Sequence, residues 1–306
     1  MDFGSILLII LGLCLFETIS SIDNAVINAE VLSTMGQKAR KWFLFWGMLF
    51  AVFAVRGFLP LLIVWASAPS LGIWGALTAT FNNDPKVVEA INRAAPLLMM
   101  AGGIFLVFLF FNWLFQEEKS YGLFGERFFH KHSVWFYAVV SLLLTVIVWL
   151  ALQRDPLLAF SASLGSSLFF ITHGFKQNAQ VQEKQLMKRG NSDLAKIFYL
   201  EAIDATFSID GVLGAFAFTL SVPLILLGNG LGAIILRQLT ISNIDRIKKY
   251  IYLKNGAMYS VLFLGTIMLL GSFGFHMPNY VSPIATFVTV GYFFLKSKKR
   301  NNTISI

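Results

Sequence analysis

Long apolar runs separated by short polar segments organise the whole chain. A membrane-spanning helix needs roughly 20 mostly apolar residues. Nine stretches approach that length: 5–34, 41–67, 94–115, 133–152, 156–175, 197–221, 222–241, 255–275 and 280–296. The pattern predicts an all-α polytopic membrane protein with about nine transmembrane helices. The fifth run, "SASLGSSLFF" at its centre, is the richest in small polar residues, and a re-entrant segment is the alternative there. The sixth and seventh are joined only by a tight turn at Ser221 and Pro223.

Two of these runs carry acids. The first holds "FETISSIDNAVINAE", with Glu17, Asp23 and Glu30 and the amides Asn24 and Asn28. The sixth holds "FYLEAIDATFSIDGVLGA", with Glu201, Asp204 and Asp210. Aligning the two Ser-Ile-Asp triplets sets Asp23 against Asp210, Glu17 against Asp204 and Asn24 against Gly211. Glu30 then faces only Ala217, which leaves it outside the shared set, near the cytoplasmic mouth. Arg56 and Arg237 fall at equivalent depths in runs two and seven. With nine spans the two acidic helices cross in opposite directions, the pattern of an inverted-topology repeat whose site lies near mid-membrane. The expected organisation is a single transmembrane domain over 1–306. Repeat one is 1–115 (spans 1–3), connecting spans and a cytoplasmic loop fill 116–196, and repeat two is 197–275 (spans 6–8). A last span and basic tail occupy 276–306.

Composition supports a membrane protein: 57% of residues are hydrophobic and 13% charged, with a mean hydropathy of +0.70, whereas soluble domains carry about 25% charged residues. The net charge of +8 does not point to nucleic acid, because the basic residues lie between the apolar runs. They fall in alternate gaps, around Lys38 to Lys41, Lys119 to Lys131, Lys176 to Lys196, Arg246 to Lys254 and Lys296 to Arg300. The intervening gaps hold only Lys86, Arg93 and Arg154. Cytoplasmic loops concentrate Lys and Arg, so the N-terminus is expected outside and the C-terminus in the cytoplasm of a bacterial inner membrane. Trp42, Trp65, Trp113, Trp135 and Trp149 fall near span ends, where amphipathic rings prefer the interface. The single cysteine, Cys14, excludes an internal disulfide framework and reads as a packing residue. The first run follows Asp2 rather than a basic segment and leads into the acidic motif, so it reads as a retained helix rather than a signal peptide.

An ionised carboxylate at the bilayer centre costs about 2.5–3.5 kcal/mol even on the lenient insertion scale. The acids must therefore face the protein interior, a wet cavity or a cation. Glu17, Ser20, Ser21, Asn24 and Asn28 form one polar stripe at helical spacing, and Glu201, Asp204, Ser208 and Gly211 form its counterpart. Asp23 and Asp210 lie off these stripes, so a kink or partial unwinding near each triplet is needed to bring all the carboxylates together; Gly211 and Gly214 permit one in the second copy. Oxygen donors without Cys or His suit a hard divalent cation, Mg2+, Ca2+ or Mn2+. Candidate metal-binding residues are Glu17, Asp23, Asn24, Glu201, Asp204 and Asp210, with Arg56 and Arg237 as charge partners and Ser20, Ser21, Asn28 and Ser208 as polar lining. Ion pairing that merely holds the bundle together, or a proton relay, is the plainer alternative. His130, His132, His173 and His276 lie near span ends and read as interfacial, and Asn112, Asn229 and Lys254 as capping or interfacial. An intramembrane aspartyl protease is disfavoured, because "SIDN" and "SIDG" stand where a glycine-aspartate motif is expected. No catalytic residue, prosthetic group or ATP-binding motif is read from the chain.

"FETISSIDNAVINAEVL" and "LEAIDATFSIDGVLGAFA" resemble the paired motifs of the TerC-type integral membrane proteins, within the LysE-type transporter superfamily, and "NGLGAIILR" from Asn229 to Arg237 is similar to the stretch after that family's second motif. The loops at 67–95 and 116–132 do not match, which suggests a less-characterised branch. The resemblance implies export of Mn2+ or another divalent ion and an association with tellurite resistance. It also implies that Gly211 stands where a polar ligand is often found. The leading expectation is a secondary transporter exporting a divalent ion, with Mn2+ first, by proton exchange at the same acids. One alternative is a non-transporting membrane component of a stress-response complex, docking partners on the loops at 174–196 and 242–254. Another is an exporter of a small organic cation or amino acid. The expected partners are lipid, the metal ion, and either a second copy of the chain or a cytoplasmic protein at the 174–196 loop.

Overall fold

The computed structural model describes residues 2–47, 49–50, 56–67, 69–78, 85–188, 192–275 and 277–304. Every regular element among them is helical. The chain opens with α1 (Phe3–Ser20), capped by Asp2, whose carboxylate accepts from the Ser5 amide and hydroxyl. A carboxylate cap satisfies donors that the first helical turn leaves orphaned. The helix is interrupted at Ser21, and α2 (Ile22–Ser33) resumes it. The expected first span of 5–34 is thus two helices joined at the serine of the triplet.

Short elements follow: α3 (Gln37–Trp42), a π-helical stretch from Phe43 to Gly47, α4 (Phe58–Ser67) and α5 (Gly72–Thr78). The expected second span of 41–67 falls partly outside the described residues. Next come α6 (Pro85–Gln116), α7 (Glu126–Lys131), α8 (Phe136–Leu152) and α9 (Pro156–Lys188). The last four are α10 (Asp193–Ala215), α11 (Val222–Lys248), α12 (Leu253–Ser272) and α13 (Val281–Ile304).

Among the described residues, five helices are long and apolar enough to cross a membrane: Phe3–Ser20, Asn92–Gln116, Ser133–Leu152, Pro156–Asn178 and Leu253–Ser272. The chain is an α-helical, multi-pass membrane protein on that ground. Of the other expected spans, α10 is not among these five, since Glu201, Asp204 and Asp210 interrupt its apolar part. The apolar part of α11 is shorter, Val222–Gln238. The fifth run is no re-entrant segment: α9 continues unbroken from Pro156 to Lys188. That continuation corrects a second expectation. The docking loop at 174–196 is mostly helix, with 189–191 outside the described residues, and α11 likewise runs to Lys248 through most of 242–254. The Gln- and Lys-rich sequence of 176–188 is a good helix former, so α9 outruns its apolar part.

The largest core lies around α6, which packs against α12 and α9. Met100, Ile104, Phe105, Phe108 and Trp113 of α6 are buried there with Leu264 and Met268 of α12 and Phe169 of α9. Small residues let these helices approach. A Cβ on Gly103 would lie 3.0 Å from the Gly265 carbonyl oxygen, and a Cβ on Gly265 3.2 Å from that of Gly103. The α1–α11 contact has the same basis. A Cβ on Gly232 would stand 2.7 Å from the Cβ of Glu17 and 2.8 Å from the Cys14 oxygen. Small residues four apart, here Gly228 and Gly232, are a common device for close helix packing in membranes, where apolar burial gives no net drive.

The segment after α6 folds back on the bundle. Lys119 donates to the carbonyls of Trp113 and Leu114 and lies 4.4 Å from the Trp113 ring centroid, capping the helix end with a cation. Glu126 is buried, and its Oε2 accepts from the Gly122 amide at 2.6 Å and the Asn255 amide at 2.9 Å. Lys254 pairs with Glu117 at 2.6 Å. Burial pushes the Lys119 ammonium down to about 8, against the opposing pull of Glu126 and Glu117. Its folded-state value lies below its unfolded one, so the unfolded chain holds the proton more tightly between about pH 8 and 10.5. Stability is therefore expected to rise with pH across that window. Thermal midpoints in detergent should show the rise, and Lys119→Met should remove that part of it.

Candidate functional site

The two acidic motifs face each other on antiparallel helices. Asn24 of α2 donates to Asp204 Oδ1 of α10. The Gly36 amide donates to Asp193 Oδ2 at 3.2 Å, and Lys196 Nζ to the Thr34 carbonyl at 3.0 Å. At the other end Glu17 Oε2 fills the space beside Gly211, so that a Cβ there would collide with it. Residues 17, 24, 34 and 36 thus face 211, 204, 196 and 193 in a steady antiparallel register. The glycine at 211, where a missing ligand was expected, is explained by this approach: any side chain would displace the Glu17 carboxylate.

At the centre stands Arg56, at the turn that enters α4 and 3% exposed. Its Nε and Nη2 both donate to Glu17 Oε1, at 2.9 and 2.7 Å. Its Nη1 reaches Asp204 Oδ2 at 3.4 Å. Glu17 is wholly buried and also accepts from the Ser21 hydroxyl at 2.9 Å. The interruption at Ser21 puts that hydroxyl over Glu17. One guanidinium therefore bridges a carboxylate from each motif, with the rigid fork that favours Arg over Lys at such points.

The other expected residues divide. Asp210 is brought in, paired with Lys176 of α9. Glu201 sits against Gly47 of the π-helical stretch, where a Cβ would strike its Oε1. Arg237 lies within electrostatic reach of Asp204 and Glu201. Its Nη2, however, donates to the Phe43 carbonyl, and its guanidinium carbon lies 5.0 Å from the Phe43 ring centroid. Ser20 and Ser208 hydrogen-bond their own helix backbones, at Glu17 and Asp204. Asn28 is half-buried and Glu30 exposed. The side chain of Asp23 and the whole of His276 lie outside the described residues. The second helix does not unwind: α10 runs straight through its Ser-Ile-Asp triplet. Gly211 therefore acts through close approach rather than as a break.

Two residues were misjudged from sequence. Lys176 reads as a loop charge, yet it belongs to α9 and neutralises Asp210. Asn229 reads as interfacial, but it is fully buried, with its Nδ2 3.5 Å from the Gly211 carbonyl. Its place three residues before the helix-packing Gly232 and in the middle of an apolar run was the available signal.

Several buried oxygens here have no hydrogen-bond partner: Glu17 Oε2, Asn24 Oδ1, Asn28 Oδ1, both oxygens of Glu201 and Asp210 Oδ1. These belong to α1, α2 and α10, and Asn229 Oδ1 of α11, beside Gly211, is likewise unpartnered. Among the described residues, no three His, Cys, Asp or Glu side chains gather as a single metal-holding group. The bases Arg56 and Lys176 stand on three of the acids instead.

A family model described as "Protein of unknown function (DUF475)" matches residues 22–304. No curated protein and no solved structure matches the chain. The match corrects the resemblance to TerC-type and LysE-type proteins, which rested on two short acidic stretches and an Asn-to-Arg segment. Acids, Ser and Gly on facing helices are what any intramembrane polar site requires, so such stretches identify a kind of site rather than a lineage. The expectations of manganese specificity and tellurite resistance that came with the resemblance lose that footing. The matched region starts just after the Ser21 interruption, so Glu17 lies N-terminal to it.

Proposed function

Because the chain belongs to the DUF475 family, whose description assigns no function, its activity has to be read from its own side chains, and we propose that it is a secondary transporter moving a hard divalent cation through the carboxylate site of α1, α2 and α10. The observation that carries this reading is the set of unpartnered buried oxygens on those helices. Leaving a buried polar group unsatisfied costs about 1–3 kcal/mol, more if it is charged. A cation coordinated by carboxylate and amide oxygens would relieve that cost. Oxygen donors favour Mg2+, Ca2+ or Mn2+ over ions that prefer nitrogen or sulfur.

In the conformation described, Arg56 holds Glu17 and Asp204, and Lys176 holds Asp210. Cation entry requires these bases to withdraw, and the interruption at Ser21 gives α1 and α2 a joint about which to move. Ligating carboxylates must be deprotonated, so metal binding releases protons and couples the two ions.

Nine spans with an inverted repeat supply the two moving units, 1–115 and 197–275. The motif alignment supports this arrangement, because it exchanges the pair Glu17 and Gly211 with the pair Asp204 and Asn24. Both pairs are in contact, as a twofold relation requires. The distribution of Lys and Arg favours an outer N-terminus and a cytoplasmic C-terminus.

Mn2+ is a convenient probe, since its paramagnetic resonance signal changes on binding. Purified protein titrated with Mn2+ should bind it with Mg2+ or Ca2+ competing, and Glu201→Gln should weaken binding about tenfold or more, some 1.4 kcal/mol. Wild-type protein that leaves the free-ion spectrum unchanged at millimolar Mn2+, Mg2+ or Ca2+ having no effect, would overturn the reading.

A further inference from the structure

Lys176 raises a separate question, because its charge sits on a residue that the transport reading uses as a ligand. It lies two residues before the end of the apolar stretch Pro156–Asn178, while its helix continues to Lys188. Its side chain is 14% exposed and that of Asp210 17%. Nζ meets Asp210 Oδ2, whereas Asp210 Oδ1 is buried without a partner. The carboxylate is thus half engaged: one oxygen is held by a tethered ammonium and the other is buried and unpartnered.

Resting on the transport reading, we propose that Lys176 is a built-in competitor for the substrate cation at Asp210 and sets the preference of the site for divalent over monovalent ions. A tethered ammonium is present at high effective concentration. A monovalent ion offers no more charge than the ammonium it must displace, so it loses the exchange. A divalent ion offers twice the charge and wins it. The displaced ammonium has somewhere to go, because a flexible lysine stem near the end of a span can carry its head to the membrane boundary. Its return evicts the ion, so Asp210 never stands as a bare carboxylate that traps its cargo. Arginine would be a poor substitute: its planar fork pairs bidentately with a carboxylate and would cover the unpartnered oxygen as well.

Two substitutions with opposite expected signs test the competition. Lys176→Gln removes the competitor. It should bind Mn2+ at least tenfold more tightly than wild type, let Na+ compete for the site, and slow Mn2+ turnover in liposomes. Lys176→Arg strengthens the competitor and should bind Mn2+ several-fold more weakly. A merely structural lysine would move both variants in the same direction. Mn2+ binding by wild type that is unchanged or weaker in folded Lys176→Gln protein overturns the competition alone. Should that variant fail to fold, Lys176→Arg binding as tightly as wild type, or tighter, overturns it. No Mn2+ binding by wild type overturns the transport reading and this inference with it.

Discussion

Replacing Arg56 by Met is expected to remove most of the folded protein. The Arg56 side chain is 3% exposed, and it joins Glu17 to Asp204. Deleting one partner of a buried ion pair costs about 3–5 kcal/mol, since the remaining charge has neither water nor a counter-ion. Two carboxylates would be stranded here, against a total stability of about 5–15 kcal/mol. The cost comes from the stranded acids, so neutralising them should restore folding. The triple variant Arg56→Met, Glu17→Gln, Asp204→Asn is expected to regain most of the lost thermal stability. Arg56→Lys should fall between, keeping the charge but losing the fork that serves Glu17 twice and Asp204 once. Monodisperse yield and thermal midpoint in detergent measure all three. An Arg56→Met protein as stable as wild type, or a triple variant no better than the single one, would show that the bridge does not hold the helices.

Much of this centre was legible in the sequence for one reason. A charge inside an apolar run has few places to go, so Glu17, Arg56 and Asp204 had to find one another or water. The antiparallel facing of the motifs followed from the alternation of basic gaps. The polar triplet marked the interruption at Ser21, but the same triplet in α10 forms unbroken helix. The two copies differ in what lies opposite: α10 accommodates Glu17 with a glycine at 211 and needs no bend. Lys176 escaped notice because lysines at the end of an apolar run usually meet water, and only the packing of α9 on α10 aims this one inward. Glu126 escaped because nothing in a loop sequence announces a buried carboxylate, here held by Asn255 of α12. The span count is the reverse case. The acids that build the site in α10 are what remove that helix from any list of apolar spans.

The second large effect concerns transport. Asp204→Asn removes a carboxylate while leaving Arg56 paired with Glu17, so the fold should survive. Asp210→Asn removes the carboxylate with the unpartnered oxygen. A neutral amide is a much poorer ligand for a hard divalent ion, and loss of one charged ligand also removes part of the charge that draws the ion out of water. Each substitution should reduce the initial rate of Mn2+ movement a hundredfold or more, with thermal midpoints within a few degrees of wild type.

The most direct measurement is the initial rate of Mn2+ flux in sealed proteoliposomes, comparing wild type, Asp204→Asn, Asp210→Asn and protein-free vesicles. Transport through this site predicts saturable flux in wild type, competition by Mg2+ or Ca2+, and rates near the protein-free baseline in both variants. Undiminished flux in both folded variants, or wild-type flux no greater than the baseline, would contradict it.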